Sequence, residues 1–259
     1  MRANTLKSYP GQAALPGGRA DSLSESPFDT ARREAHEEIG LPSDDKKLPP
    51  PFRVEHICQL PANLAKTELM VRPCVAFLST GDDPKHAHAD VEESLIPRLD
   101  PREVAAVFTA PFHNFLMASD EVHPTDKADV LGDPADWYEG MWTDWHQSRW
   151  RMHNFYVPVA GQQVTKPKST KTGPASSTER LQAVEQAGLL TRYRVFGMTA
   201  RILVDAARVA YAQEPEFEHN SHFGDEGMIT RLLQMGRLQE ERRASDELRR
   251  EDLVKAAKM

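Results

Sequence analysis

Polar positions dominate residues 26–40, and there the end signals, more than any apolar stripe, predict a helix. Ser26 suits an N-cap, Pro27 stands at the first helical position and Asp29 completes a variant capping box. Gly40 supplies a left-handed C-terminal residue and Pro42 blocks extension, so the helix should end near Ile39. Partial alternation over 52–60, a continuous apolar run over 69–78 and another over 103–112 predict three strands, the second of them buried. Residues 80–100, rich in Asp, His, Pro and Glu, read as a loop, and 137–158 predicts a further pair of strands. Apolar residues at helical spacing over 195–212 predict a helix. The more charged segment 227–258 predicts a second, with a weaker stripe at Ile229, Leu232, Leu233 and Met235. Residues 1–25 form an irregular, Gly- and Pro-rich approach, and 162–180 reads as a disordered insertion. No repeat is present. Helices and strands are mixed without regular alternation, which favours α+β or an α/β sandwich over a doubly wound sheet. The expected division is a domain over 1–213 and a charged helical tail over 214–259.

Composition narrows the function classes. The 259 residues carry a formal net charge of -7 and no concentrated basic patch, which argues against a nucleic-acid backbone as partner. An acidic chain that handles phosphates needs metal ions or a local basic pocket to offset repulsion. No apolar run approaches the length of a membrane span, and the opening MRANTLKSYPGQ lacks the apolar stretch of a secretory signal. A soluble protein in a reducing compartment is expected, with Cys58 and Cys74 as buried free thiols. The tryptophans, all within 137–158, are expected in core or substrate-loop packing. His86, His88 and Asp90 have a spacing that could suit a metal, but nothing else converges on them.

The acidic helix carries the candidate chemistry. Positions i, i+3 and i+4 share one helical face, so Glu34, Glu37 and Glu38 point the same way. Like charges so spaced cost about 0.2–0.5 kcal/mol per pair on an exposed helix. Arg33 reaches only Glu37 by helical spacing. A solvated acidic face and a nest of metal-binding carboxylates both fit this spacing. The flanks favour the nest: Gly17-Gly18 before the helix allows close backbone approach, with Glu25 at its start and Gly40-Leu41 after it. Oxygen ligands without His or Cys suit Mg²⁺ or Mn²⁺, ions that can bridge a pyrophosphate and activate water.

The stretch from Gly18 to Leu41 resembles the Nudix box, G-x5-E-x7-R-E-U-x-E-E-x-G-U with U aliphatic. Glu25, seven intervening residues and then Arg33-Glu34-Ala35-His36-Glu37-Glu38-Ile39-Gly40-Leu41 follow that pattern, with Ala35 in the first aliphatic slot. Six residues instead of five separate Gly18 from Glu25, an insertion that falls in a loop. Residues 8–21, SYPGQAALPGGRAD, are similar to the S-H-x-G-Q-V-x-F-P-G-G-x-x-D segment of the coenzyme A diphosphatase branch. Leu6, Gly11-Gln12, Pro16-Gly17-Gly18 and Asp21 hold its positions, while Tyr9 replaces His and Leu15 replaces Phe. Residues 195–207, VFGMTARILVDAA, resemble that branch's W-G-x-T-a-x-I-L helix, with Phe196 in place of Trp. The likeness runs from about residue 6 to 212, most closely in the manner of fungal peroxisomal enzymes, and is loose between the box and residue 195.

The resemblance implies a Nudix fold, an α/β/α sandwich around a mixed sheet, and hydrolysis of the diphosphate of CoA or acyl-CoA with Mg²⁺ or Mn²⁺. Glu34 and Glu38 would be the principal metal ligands, and Glu37 a third ligand or the group orienting the attacking water. Catalysis would fall to Glu37 and Glu38. Gly17, Gly18 and Arg19 would meet the substrate, while Glu25, Arg33 and Gly40 would hold the box together. The ending Ala257-Lys258-Met259 fits the small–basic–aliphatic peroxisomal tripeptide, which implies an import receptor as partner and a peroxisomal location, otherwise a cytoplasmic one. Only about 25 residues precede Glu25, so one or more N-terminal strands of the fold are expected to be missing. Two rivals follow: a Nudix hydrolase for NADH or ADP-ribose, and a truncated, non-catalytic Nudix-like protein.

Overall fold

The computed structural model describes residues 1–3, 11–65, 69–80, 95, 99–121, 134–145, 148–159, 190–238 and 248–259. Helix α1, Pro27–Ile39, begins where its local chemistry dictates. The Ser26 side chain accepts the Asp29 N–H at 3.1 Å, and Pro27 opens the first turn. At the other end Gly40, at φ 78°, donates to the His36 carbonyl and Leu41 to that of Ala35, satisfying carbonyls that the helix leaves open. Arg32, buried on the inner face, pairs with Asp45 at 3.1 Å, and Phe28 stacks on His56 with ring centroids 4.0 Å apart. These contacts tie α1 to the strands that follow.

Strand β1, Arg53–Gln59, pairs antiparallel with β4, Cys74–Ser79. Between them the short β2, Asn63–Leu64, pairs with β3, Met70–Val71. The apolar run 69–78 is thus two strands, broken at Pro73, which has no N–H to give a ladder. Nor is it buried throughout: Phe77 is 59% exposed, because Leu48, Phe52 and Leu95 form a core against Val54 and Leu78 instead. Cys58 and Cys74 are free and half-buried, on these adjacent strands, and burial and the nearness of Cys58 push the Cys74 thiol up.

In place of the expected strand over 103–112 stand isolated bridge residues, Val104, which bridges Arg2, and Val107. Ala3 donates to the Glu103 carbonyl and Ala105 to that of Met1, so the opening three residues pair there. Farther on, Pro111 lies at a turn into the 3₁₀ segment His113–Leu116. The predicted pair of strands over 137–158 is present: β5, Tyr138–Trp145, lies antiparallel to β6, Ser148–Pro158. β6 pairs in turn with β7, Arg192–Phe196. Every strand pairing among the described residues is antiparallel, in three separate sheets.

Helix α2, Gly197–Tyr211, starts two residues later than expected, because Val195 and Phe196 pair with Phe155 and Asn154 as the end of β7. It packs Ala200, Val204 and Ala207 on Phe155, Val157, Tyr193 and Val195, and Trp137 and Phe115 complete this largest core. Among the described residues, the segment predicted as one helix over 227–258 shows two, α3 Glu226–Gln234 and α4 Arg250–Ala257. Gly236, at φ 74°, follows the first. Ile229 and Leu232 are buried with Ala62, Leu64, Leu253 and Ala256, so α3 and α4 share a second core with β2, whereas Leu233 is 44% exposed. Residues 162–180 and the His86, His88 and Asp90 group lie outside the described residues, as do Leu6 and Tyr9. Among the described residues no helix is long and apolar enough to cross a membrane.

Candidate active site

Helix α1 presents its carboxylates beside the glycine-containing approach at 16–19. Arg33 is the organising cation. Its Nε donates to Glu25 at 2.9 Å, Nη1 to Glu34 at 3.0 Å and Nη2 to the Arg19 carbonyl at 2.9 Å; Asp21 lies at 3.3 Å. Glu25 also accepts the Asp21 N–H at 2.8 Å, and these bonds, that from Arg33 above all, hold its carboxyl down at about 2. One arginine therefore fastens the loop before the helix to the face that carries Glu34. Gly40 closes the other end of the same helix.

The three glutamates do not share one environment. The Glu34 side chain is 15% exposed and lies against Gly18, where an added Cβ would collide with its carboxylate. Glu37 is 55% exposed and lies 3.4 Å from the same Arg33 Nη1 that donates to Glu34. Glu38 is half-buried, and the nearby Gly17 backbone favours its ionised form slightly. Burial, followed by the negative charge of Glu34, pushes its carboxyl up to about 7. Two further groups act on Glu38 from distant segments. Arg2 opposes the rise and Glu103 adds to it. Sequence reading missed Glu103, since no spacing rule links it to the helix. Only the pairing of 103–105 with the first three residues brings it there.

Among the described residues no three His, Cys, Asp or Glu side chains converge tightly enough to hold a metal ion. Glu34 and Glu38 are nonetheless close enough to repel. They are hard oxygen donors beside a glycine that admits no side chain without displacing one of them. Two interacting carboxylates, one of them costly to ionise, fit a divalent cation that would relieve both burial and repulsion. Arg19 is exposed beside the same loop, which it holds through its carbonyl. Of the tryptophans, Trp137 is buried core with its indole N–H on the Asn114 carbonyl at 2.9 Å, and Trp142 donates to Glu218 at 2.7 Å.

Gly18→Ala tests this crowding. The clashing group is the end of a flexible side chain, so the fold should yield cheaply by swinging the Glu34 carboxylate away. Melting temperature is expected to stay within a few degrees of the parent while turnover falls by about 10²-fold, the usual penalty for misplacing a functional group by an ångström. Unchanged turnover would show that the Glu34 position does not matter.

A helix bearing paired carboxylates, clamped by an arginine to a diglycine loop, defines a candidate phosphate-handling metal site on an α/β scaffold. The family follows from comparison. Residues 1–131 match the NUDIX domain, and the chain belongs to the Nudix family. It is similar to the peroxisomal coenzyme A diphosphatase 1 of Saccharomyces cerevisiae, with 29% identity over 246 residues covering 91% of this chain and 70% of that protein. It is similar also to the chloroplastic Nudix hydrolase 22 of Arabidopsis thaliana, 28% identical over 234 residues, 89% of this chain and 56% of that one. The Nudix hydrolase NudL of Enterobacter sp. (strain 638) is 34% identical over 146 residues, 56% of this chain and 62% of its own. The chain thus spans 56% and 62% of the lengths of the last two relatives.

Proposed function

We propose that this protein is a Mg²⁺- or Mn²⁺-dependent diphosphatase acting on coenzyme A and acyl-CoA, with 3′,5′-ADP and (acyl-)4′-phosphopantetheine as products. The observation that carries the reading is the Glu34–Glu38 pair set against the Gly17-Gly18 loop on a Nudix box helix. Glu34 and Glu38 would hold the cation, with Glu37 as a third ligand or the group that orients water. The cation would supply charge neutralisation at the diphosphate and a water acidic enough to attack phosphorus. Glu25, Arg33 and Gly40 keep the helix and its loop in register, and Gly17, Gly18 and Arg19 border the position of the substrate.

The choice of CoA over other nucleoside diphosphates is supported by the segment before the box and by likeness to the yeast CoA diphosphatase along most of the chain. Residence in peroxisomes belongs to the same proposal, supported by the location in that relative's name and by Ala257-Lys258-Met259.

The test is incubation of the purified protein with Mg²⁺ and, separately, CoA, acetyl-CoA, NADH and ADP-ribose, with products resolved by chromatography. Release of 3′,5′-ADP from CoA, abolished by EDTA, is expected. Cleavage of NADH or ADP-ribose without cleavage of CoA or its thioester would overturn the substrate assignment.

A further inference from the structure

Helix α1 leaves a backbone group open at one of its two paired carboxylates. Gly40 and Leu41 turn back onto His36 and Ala35. In a continuing helix the Glu38 carbonyl would take the N–H of residue 42, but that residue is Pro42, which has none. The donor comes instead from far along the chain, for the Asp100 N–H reaches the Glu38 carbonyl at 3.1 Å. Asp100 is itself firmly held. Its carbonyl accepts the N–H groups of Glu103 at 3.1 Å and Val104 at 2.8 Å, which closes a tight turn. Its carboxylate accepts the Arg102 N–H at 2.9 Å, the side-chain bond of an Asx turn. The Arg102 guanidinium binds the same carboxylate, with Nη2 2.7 Å from Oδ2 and Nε 3.1 Å from Oδ1, and holds it below the usual carboxylate range. Past the turn, Ala3 donates to the Glu103 carbonyl at 2.8 Å and Val104 bridges Arg2.

We propose that Asp100 is a positioning residue for Glu38: by closing its turn it presents the N–H that pins the last turn of α1, and so sets the aim of the Glu38 carboxylate. This rests on the metal-binding reading of Glu38 above. A helix end frays where its carbonyls lack partners, and Glu38 is the penultimate residue of α1. Fraying there would move a carboxylate whose use depends on where its oxygens stand relative to those of Glu34. The bond from Asp100 ties the Glu38 carbonyl to a segment fixed on both sides. Leu99 is buried before it, and Glu103 and Val104 pair with the opening residues after it. The same docking brings the charges of Glu103 and Arg2 to act on Glu38. One turn thus settles both the backbone and the electrostatic surroundings of this carboxylate, without touching its oxygens.

The test compares the full-length parent with Asp100→Ala, which removes the acceptor that closes the turn, and with Asp100→Asn, which keeps it. Mn²⁺ alone is titrated calorimetrically into each protein, melting temperature is read in EDTA, and CoA turnover is followed against Mg²⁺ concentration. The alanine variant should bind Mn²⁺ about tenfold more weakly, the scale on which groups that orient a metal ligand are felt. Its KM for Mg²⁺ should rise while its KM for CoA holds, with melting temperature within a few degrees of the parent. The asparagine variant should recover Mn²⁺ affinity to within about twofold, because its amide oxygen can still accept the Arg102 N–H. Hydrogen exchange of the metal-free parent reads the bond itself, and the residue 100 amide should exchange at least about tenfold more slowly than in an unfolded chain. Unprotected exchange there would overturn the proposal, whether or not the alanine variant folds. Unchanged Mn²⁺ affinity in the alanine variant, or an equal loss in the asparagine variant, would overturn it too. A parent that binds Mn²⁺ but cleaves no CoA would remove the substrate reading alone, and the titrations would still decide the role of Asp100. A parent that binds no Mn²⁺ would remove both.

Discussion

Glu38→Gln is expected to lower CoA hydrolysis on the order of 10³-fold, the scale on which loss of a charge-stabilising group at a reacting phosphate is felt. The same change should not weaken the fold. Glu38 is raised to about 7 in the folded chain by burial and by Glu34, above the 4.5 of an unperturbed glutamate. The folded state therefore holds its proton more tightly than the unfolded one. Its contribution to stability is lost as pH rises from about 4.5 to 7, and above 7 the ionised carboxylate is a net cost. At pH 8 in EDTA the glutamine variant should melt at or above the parent temperature. Adding Mg²⁺ should raise the melting point of the parent more than that of the variant, because a cation that binds only the folded state stabilises it by mass action. Near-normal turnover in the variant would remove Glu38 from the metal site. A melting point well below the parent at pH 8 would mean that the carboxylate is structural.

How much of this site could be read from the chain depends on the range of the interactions. The helix was legible because its signals are local: Ser26, Pro27 and Gly40 each act within one turn of where they stand. The shared face of Glu34 and Glu38 follows from helical geometry alone. The turning of Glu37 toward solvent does not, since Arg33 decides it, and Arg33 is placed by Glu25 and the Arg19 carbonyl. Gly18 was legible as a close-approach residue, but that Glu34 is what approaches was not. Glu103 was invisible, lying on a segment far along the chain from the box.

The fold shows the same division. Alternation found β5 and β6, but the apolar run at 69–78 hid the break at Pro73, and the RYRVF of β7 merged into the helix that follows. Periodicity says which residues want burial. It does not say which partner strand is at hand, and at 103–112 it is Met1 to Ala3, from the far start of the chain, that pair with residues 103–105. Likewise the stripe Ile229, Leu232, Leu233 and Met235 marked a helix correctly, while its end depended on a glycine at 236.

Removing the Asp225 side chain should produce the largest loss of stability. Arg201, almost wholly buried on α2, places Nη1 at 3.0 and 3.2 Å from the two Asp225 oxygens and Nη2 at 2.7 Å from the Gly224 carbonyl. Asp225 also accepts the Leu64 N–H at 2.9 Å, and its own N–H goes to the Ala62 carbonyl at 2.7 Å. Gly224 turns this corner at φ 54°, where a side chain would be strained and would press on the Ala62 carbonyl. One aspartate thus joins α2, β2 and the start of α3. Asp225→Ala takes from the buried guanidinium its hydrogen-bonded counter-charge, leaving Asp205 as a more distant one, which costs about 3 kcal/mol, and strands the Leu64 N–H. For a chain of this size, that corresponds to a fall in melting temperature of roughly 10 °C. The double variant Arg201→Met, Asp225→Ala should recover much of the loss, because it removes the orphaned charge and not merely its partner. A single variant within about 1 kcal/mol of the parent, a value typical of exposed pairs, would show that the pair is solvated and that the two cores are held together by their apolar contacts alone.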